Sequence, residues 1–457
     1  MTPDVSPSLL DLIGNTPMVK LTSFDTGLCE LYVKLEFQNP GGSIKDRIAL
    51  SIIEDAERSG ELVSGGTIIE ATAGNTGIGL ALVGALKGYQ VILVIPDKMS
   101  REKIFHLEGL GARIVSTRSD VPEGHPEYYQ DLAREIASVT KDSFLANQFS
   151  NPSNPAAHRT QTAPEIWRQM DCNVDAVVTG VGSGGTVTGL AEFLKEKNPS
   201  IQMVVADPDG SIVADAVTKG HYNYDGRSWL VEGIGEDFIP DNLNLSLTDD
   251  AVVVSDREAF GALDILLKKE GILGGSSTGT LIAGAVKWCQ KQEVAKRVVT
   301  FVCDTGNKYL SKAYNKSWLH DNDLSGKTSS GDLSDLINRR ADDGEMIAVA
   351  SSDTLTTAYN RMRSADVSQI PVIDDSNLVG VLDEGDLLMT VSCDQSTFVM
   401  PVSKFMTTNL VILQKDSTID EVQRVLAGGK VAIIFDADKF LGFVTKVDLI
   451  NYFRRLA

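Results

Sequence analysis

From about residue 40 to 305, short β-branched runs alternate with longer stretches whose apolar residues recur at helical spacing. Residues 67–71, 91–96, 113–116, 175–180, 201–207 and 297–303 predict strands; residues 76–87, 103–110, 186–197 and 256–271 predict helices. The run Ala176-Val177-Val178 has no polar face, which suits a parallel strand covered on both sides. Strand and helix in alternation predict an α/β sandwich with a mostly parallel sheet.

The pattern changes after residue 320. Residues 321–333 read DNDLSGKTSSGDL, a linker composition with few large apolar residues. Beyond it the chain repeats itself at an offset of about 62–64 residues. Asp353-Thr354-Leu355 returns as Ser417-Thr418-Ile419, and Ile370-Pro371-Val372-Ile373-Asp374 as Ala432-Ile433-Ile434-Phe435-Asp436. Two copies of a β–α–β–β–α unit therefore follow one large domain. The expected boundaries are 1–320 for that domain, 321–334 for the linker, and 335–395 and 396–457 for the copies.

Composition narrows the partners. The 457 residues are 42% hydrophobic and 23% charged, a mix that buries sizeable cores. Lys plus Arg number 42 against 62 for Asp plus Glu, a formal charge of -20. Such a surface repels phosphate backbones, which argues against nucleic acid as the main partner. The five cysteines (Cys29, Cys172, Cys289, Cys303, Cys393) include no C-x-x-C pair, and the histidines form no H-x-x-x-H cluster. Neither a disulfide framework nor a metal site is expected, and a reducing compartment fits. Met1-Thr2-Pro3-Asp4-Val5 lacks the features of a signal peptide, and the apolar run 78–86 is half the length a membrane helix needs. The expectation is a soluble cytoplasmic protein with no membrane partner.

Four stretches carry candidate chemistry. Asn39-Pro40-Gly41-Gly42-Ser43-Ile44-Lys45-Asp46-Arg47 precedes an amphipathic helix. Ser43 and Asp46 have capping-box spacing, which puts Lys45 in the first turn, where the helix dipole disfavours an ammonium. A neutral amine there can attack an aldehyde; the bland alternative is a solvated lysine at a helix start. Ala71-Thr72-Ala73-Gly74-Asn75-Thr76-Gly77 forms a strand-to-helix turn suited to a carboxylate, though a structural turn reads alike. Gly180-Val181-Gly182-Ser183-Gly184-Gly185-Thr186 suits a phosphate. Gly180, Gly182 and Gly185 also match G-x-G-x-x-G, with Asp207 about twenty residues on, so a dinucleotide stays open beside other phosphates. Gly274-Gly275-Ser276-Ser277-Thr278-Gly279 joins two predicted helices and could be a tight turn alone. One lysine with three glycine–hydroxyl loops asks for a ligand with one phosphate and several polar groups. A nicotinamide cofactor uses one loop and leaves Lys45 idle.

Taken together with Leu12-Ile13-Gly14-Asn15-Thr16-Pro17, these stretches resemble the fold-type II pyridoxal-phosphate enzymes of β-replacement, over roughly residues 8 to 320. Val231-Glu232-Gly233-Ile234-Gly235, followed by Asp237-Phe238-Ile239-Pro240, is similar to the cystathionine β-synthase branch, with O-acetylserine sulfhydrylase (cysteine synthase) as its cousin. The C-terminal repeats resemble paired CBS domains, the Bateman module.

The resemblance implies a three-layer sandwich and pyridoxal 5'-phosphate held covalently by Lys45. It implies that Asn75 meets the ring's 3'-oxygen, that Gly182, Ser183, Gly184, Gly185 and Thr186 wrap the phosphate, and that Ser276 faces the pyridine nitrogen. Thr72, Ala73, Gly74, Thr76, Gln148 and Gly233 would bind substrate. The implied reaction condenses serine or O-acetylserine with homocysteine to cystathionine, with hydrogen sulfide as a further product; the alternative is cysteine synthesis from sulfide. No haem is expected, since no Cys/His-bearing extension precedes the domain. A homodimer or higher homo-oligomer is implied as well.

Ala73 stands where many relatives carry Ser, which shifts the expectation toward O-acetylserine, and Glu236 stands where the animal enzymes carry Tyr. In the repeats, Gly442-Phe443-Val444-Thr445-Lys446-Val447-Asp448 keeps a pattern whose hydroxyl and carboxylate (Thr445, Asp448) meet an adenosyl ligand in paired CBS domains. Gly380-Val381-Leu382-Asp383-Glu384-Gly385-Asp386 puts a carboxylate at the hydroxyl position. One site per chain, preferring S-adenosylmethionine to ATP, is the expectation; the alternative is that both repeats only pack. An NAD-dependent oxidoreductase and an adenosyl sensor with a decayed catalytic domain are the alternatives from other classes; intact Lys45, Asn75 and Ser276 argue against decay.

Overall fold

The computed structural model describes residues 5–456 apart from 73, 98, 122–123, 224–225, 325, 327–329, 340 and 342–345. The chain divides into two compact units, Met1–Asn315 and Lys316–Ala457.

The first unit is built on two sheets. Its strands are β1 (Met18–Lys20), β2 (Glu30–Leu35), β3 (Thr67–Ala71), β4 (Gln90–Pro96), β5 (Arg113–Thr117), β6 (Ser143–Leu145), β7 (Ala176–Thr179), β8 (Gln202–Pro208), β9 (Asp250–Val254) and β10 (Arg297–Val302). One sheet runs β1-β2-β10-β7-β8-β9 and the other β5-β4-β3-β6. β1 is antiparallel to β2, and the other pairings are parallel. The four-stranded sheet is apolar on both faces because both are covered. Ile68 and Leu93 pack with Ile48, Ile52, Ile78 and Val83 from helices α1 (Lys45–Ser59) and α2 (Asn75–Lys87). Ile69 and Val94 pack on the other side with Ala133, Leu132 and Ile136.

The predicted strands and helices are present with ends shifted by one or two residues. β1, β2, β6 and β9 were not predicted. In β2, Glu-Leu-Tyr-Val-Lys-Leu, Lys34 reads as a solvated position, yet it is fully buried, with its amine 2.9 Å from the Thr16 carbonyl and 2.8 Å from Glu165 Oε2. Only a partner 131 positions away, found by folding, makes that strand legible.

The carboxyl ends of the parallel strands converge, and loops in that position form the ligand crevice of open α/β sheets. Lys45 follows β2, Thr72 follows β3, Gln148 follows β6, Gly180 follows β7 and Asp304 follows β10. α1 starts at Lys45 without the expected capping box. Ile44 occupies the cap position with no side-chain bond, Ser43 Oγ accepts from the Lys45 N–H at 3.2 Å, and Asp46 turns back to accept from the Gly41 N–H at 2.6 Å. The start is instead clamped by Arg47. Its guanidinium is wholly buried and donates to Glu36 through Nε and Nη2, each at 2.8 Å, and to Glu165 through Nη1 and Nη2, each at 2.8 Å.

In the second unit the repeats share one plan. Strands β11 (Gln369–Asp374) and β12 (Asn377–Asp383) form a hairpin, while β13 (Ile412–Gln414), β14 (Ala432–Asp436) and β15 (Lys439–Val444) form a three-stranded sheet. The leading strand of the first repeat is reduced to a bridge between Val349 and Val372. The cores are interleaved. Leu333, Leu336 and Ile337, which precede the first repeat's helices, pack with Val422 and Ile434 of the second. Val402 and Phe405 pack with Leu355 and Ile370 of the first. The buried Leu333 therefore belongs to a core, although the surrounding residues have linker composition.

Removing one side of a buried charge cluster leaves the other side unpaired in low dielectric. Arg47→Met is expected to lower unfolding stability by roughly 3–5 kcal/mol, read as a shift of the urea midpoint in protein stripped of ligands.

Candidate active site

Lys45 and the loop Gly182-Ser183-Gly184 with Thr186 line one cavity, closed by Ile234, Phe301 and Cys303. The loop fits a bulky anion because three side chains are missing. A Cβ on Gly182 would stand 2.6 Å from the Gly233 carbonyl oxygen, one on Gly185 would stand 2.0 Å from Asn154 Oδ1, and Gly184 has φ +80°. Gly185 opens the 13-residue helix Gly185–Lys197, so free backbone N–H groups and the positive dipole end face the cavity. Gly233, exposed with φ +87°, lies over this loop.

The Lys45 amine makes no hydrogen bond to protein among the described residues. Burial pushes its pKa down, and the nearby Cys303, Asp304 and Glu236 pull the other way. Burial is the largest of these influences. Burial also pushes the Cys303 thiol up to about 12 and holds His158 well below its ordinary value, so neither is a competing nucleophile or cation. His158 Nε2 lies 3.2 Å from Thr186 Oγ1 and its Nδ1 3.0 Å from Thr162 Oγ1.

Asn75, first in α2, donates to Asp304 Oδ2 at 2.7 Å and accepts from Lys308 Nζ at 2.9 Å. Asp304 Oδ2 also accepts from the Tyr309 hydroxyl at 2.6 Å, while its buried Oδ1 has no partner. Burial lowers Lys308 to about 8. Ser276 opens the helix Ser276–Cys289, and its Oγ accepts from the Glu232 N–H at 2.9 Å. Glu232 in turn binds Lys103 at 2.6 Å and Lys312 at 2.7 Å.

Thr72, Thr76 and Gln148 are buried together. Thr72 Oγ1 accepts from the Gly74 N–H at 3.2 Å, and the Thr76 hydroxyl donates to Gln148 Oε1 at 2.5 Å. Ala73 lies outside the described residues. Asn154, which no sequence signal marked, joins this group to the glycine loop. Its Nδ2 donates to the Gln148 carbonyl at 2.7 Å and to Ser183 Oγ at 2.8 Å. Asp207 does not serve a dinucleotide. It is fully buried, accepts from the Ala214 N–H at 2.8 Å, and is pushed by burial up to about 6.

The second unit has its own cleft between the repeats, with a volume of ≈ 750 Å³ and lined by Asp383, Asp386, Lys430, Thr445 and Asp448 among others. Thr445 and Asp448 bind each other: Asp448 Oδ2 accepts from the Thr445 N–H and hydroxyl, each at 2.7 Å, capping the helix Lys446–Leu456. Asp383 and Asp386 cap the helix Glu384–Cys393 in the same way. Among the described residues no cluster of metal-ligating side chains occurs, and no helix is long and apolar enough to cross a membrane.

A buried lysine amine, a glycine-rich loop at a helix start and a hydroxyl-bearing strand-to-helix turn lie on one α/β unit, and the family described as "Pyridoxal-phosphate dependent enzyme" matches residues 9–304. The CBS domain family matches residues 334–392 and 402–455. Cystathionine beta-synthase of Dictyostelium discoideum is 35% identical over 98% of this chain and 92% of its own, and that of Saccharomyces cerevisiae is 33% identical over 98% of both. Among solved structures, a hydrogen sulfide-producing enzyme from Fusobacterium nucleatum is 39% identical with a TM-score of 0.62, covering 67% of this chain and 100% of its own. The chain belongs to the cystathionine beta-synthase family of pyridoxal-phosphate dependent enzymes.

Asn154→Ala removes the donor that Ser183 and the Gln148 carbonyl share. A loss of roughly 1–3 kcal/mol is expected from the buried acceptors left unpaired, measured as the drop in unfolding midpoint.

Proposed function

We propose that this chain condenses L-serine or O-acetyl-L-serine with L-homocysteine to give L-cystathionine, releasing water or acetate. The observation that carries this reading is the uncommitted Lys45 amine facing the Gly182–Thr186 cradle. Pyridoxal 5'-phosphate, when bound, supplies the electron sink that makes the amino acid's α-proton acidic and its β-substituent labile. Lys45 Nζ is the attachment atom. As a free amine, Lys45 would take the α-proton and return it, and its lowered pKa keeps it neutral for that role. The backbone of Gly182, Ser183, Gly184 and Gly185 with the Thr186 hydroxyl binds the phosphate, and Asn75 orients the ring's oxygen.

Ser276 would present a hydroxyl, not a carboxylate, to the ring nitrogen, and a neutral partner there would favour elimination over transamination. Thr72, Gly74, Thr76 and Gln148 hold the first substrate's carboxylate, with Gly233 closing over it. A second reading, cysteine synthesis from sulfide, draws support from the cysteine synthase of Dictyostelium discoideum, 40% identical over 70% of this chain and 87% of its own. The paired CBS domains, which extend beyond that match, favour the cystathionine-forming reading.

The test is chemical. The purified holoenzyme should be yellow, borohydride should fix pyridoxal on Lys45 alone, and Lys45→Ala should abolish turnover while folding normally. Product formation with serine and O-acetylserine against homocysteine and sulfide separates the two readings, and label on another lysine refutes the assignment of Lys45.

Thr445 and Asp448 are proposed to hold one adenosyl ligand per chain, S-adenosylmethionine in preference to ATP. The carboxylates of Asp383 and Asp386 across the cleft favour a cationic ligand and oppose a phosphate chain. Calorimetry should show binding that Asp448→Asn, which keeps a capping side chain, weakens at least tenfold; tight ATP binding would contradict the assignment.

A further inference from the structure

The Asn75 amide, the proposed partner of the ring oxygen, is gripped from both sides. Its Oδ1 accepts from Lys308 Nζ at 2.9 Å, and its Nδ2 donates to Asp304 Oδ2 at 2.7 Å. An amide can turn over and exchange its two ends, and its hydrogen-bond neighbours decide which end points where. Here the neighbours leave no choice. An ammonium has donors and no acceptor, and a carboxylate has acceptors and no donor. A turned amide would set its NH2 against the ammonium and its oxygen against the carboxylate. With one amide hydrogen given to Asp304, the group Asn75 has left to offer is its second N–H.

Both gripping groups are fixed in turn. Lys308 is 4% exposed, and its ammonium also donates to the Gly41 carbonyl at 2.9 Å and to the Gly42 carbonyl at 3.4 Å. Those carbonyls belong to the turn that leads into Lys45, so a single cation spans the loop of the attachment lysine and the partner of the ring oxygen. Asp304 is fully buried, and its Oδ2 accepts from the Tyr309 hydroxyl at 2.6 Å as well. Its backbone forms a bridge with Ser43, and its carbonyl accepts from the Gly275 N–H at 3.0 Å, next to Ser276. The loops of Lys45, Asn75 and Ser276 thus meet on the segment that follows β10.

We propose that Lys308 is a positioning residue for pyridoxal phosphate: with Asp304 it locks the Asn75 amide so that an N–H, and never the amide oxygen, faces the ring oxygen. This rests on the role proposed for Asn75 at that oxygen. A donor stabilises the ring oxygen as an anion, whereas a neutral hydroxyl there needs an acceptor that the locked amide does not present. The action of Lys308 passes through the amide, so it should vanish when the amide is gone.

Lysine-bound pyridoxal absorbs in the visible when its ring oxygen is ionised and in the near ultraviolet when that oxygen carries a proton. The ratio of the two bands therefore reads the lock without turnover. Lys308→Met keeps a long buried side chain and removes the donors. At one pH below the Lys308 value of about 8, the visible-to-near-ultraviolet ratio of its holoenzyme should fall severalfold. Its dissociation constant for pyridoxal 5'-phosphate should rise roughly tenfold. Asn75→Ala should move both readouts at least as far. Adding Lys308→Met to Asn75→Ala should then change neither, because residues that act through one group do not have additive effects.

A Lys308→Met holoenzyme with wild-type bands overturns the proposal. So do additive shifts in the double variant, which would show Lys308 acting by another route. If Lys308→Met has no cooperative unfolding transition, Asp304→Asn loosens the other side of the amide, and an unchanged band ratio there overturns the proposal equally. Wild-type protein that takes up no pyridoxal phosphate sinks the cofactor reading itself, and this proposal with it.

Discussion

The site depends on a buried guanidinium. Arg47 is two residues beyond Lys45, and its bonds to Glu36 and Glu165 tie the first turn of α1 to the end of β2 and to the helix Ala163–Gln169. Burial alone would raise the Glu165 carboxyl, but Arg47 and Lys34 hold it down to about 2, so this carboxylate stays ionised in the interior. Paired charges in such a place tolerate little displacement, because any gap restores the cost of desolvation. The amine of Lys45 inherits that rigidity through a single helical turn. An active-site lysine has to be positioned to within fractions of an ångström while its own amine stays uncommitted. The fold meets both demands by spending its hydrogen bonds on the neighbour.

The same economy runs through the cationic groups around the crevice. Lys34, Lys103 and Lys308 are all buried and all occupied, by Glu165, Glu232 and the Gly41 carbonyl with Asn75 respectively. Against that background the amine without a bond is chemically distinct, although nothing in its own side chain marks it. The buried acids divide likewise. Glu36 and Glu165 face cations and stay low, whereas burial pushes Asp46, which accepts from the Gly41 N–H, up to about 7 and Glu70, whose Oε2 has no partner, up to about 8.

The repeat unit shows how one motif serves two ends. Thr445 and Asp448 satisfy the first orphan N–H groups of a helix, which explains their type and spacing without a ligand. They also line a cleft whose lining includes Asn338, a residue of the preceding segment with a buried Oδ1 that has no hydrogen-bond partner. The interleaved cores make the two repeats a single cooperative body, because each completes its core with the other's leading segment.

The sequence by itself determined the alternating architecture, the position of Lys45 in a first helical turn, and the three glycine–hydroxyl loops. Those features live in windows of a dozen residues, where hydrophobic period and the steric permissiveness of glycine act locally. What the tertiary structure decided are relations between distant positions. Arg47 becomes an anchor only through Glu165, 118 residues on, and Lys34 becomes a core residue through the same carboxylate. Asn154 links the Gln148 turn to Ser183 of the glycine loop, 29 residues on, and Asp207, spaced like a ribose-binding acid, turns out to brace a helix instead. A polar side chain's role is set by what faces it after folding, and burial reverses its protonation as readily as its solvation. Neither the partner nor the burial is written in the local pattern.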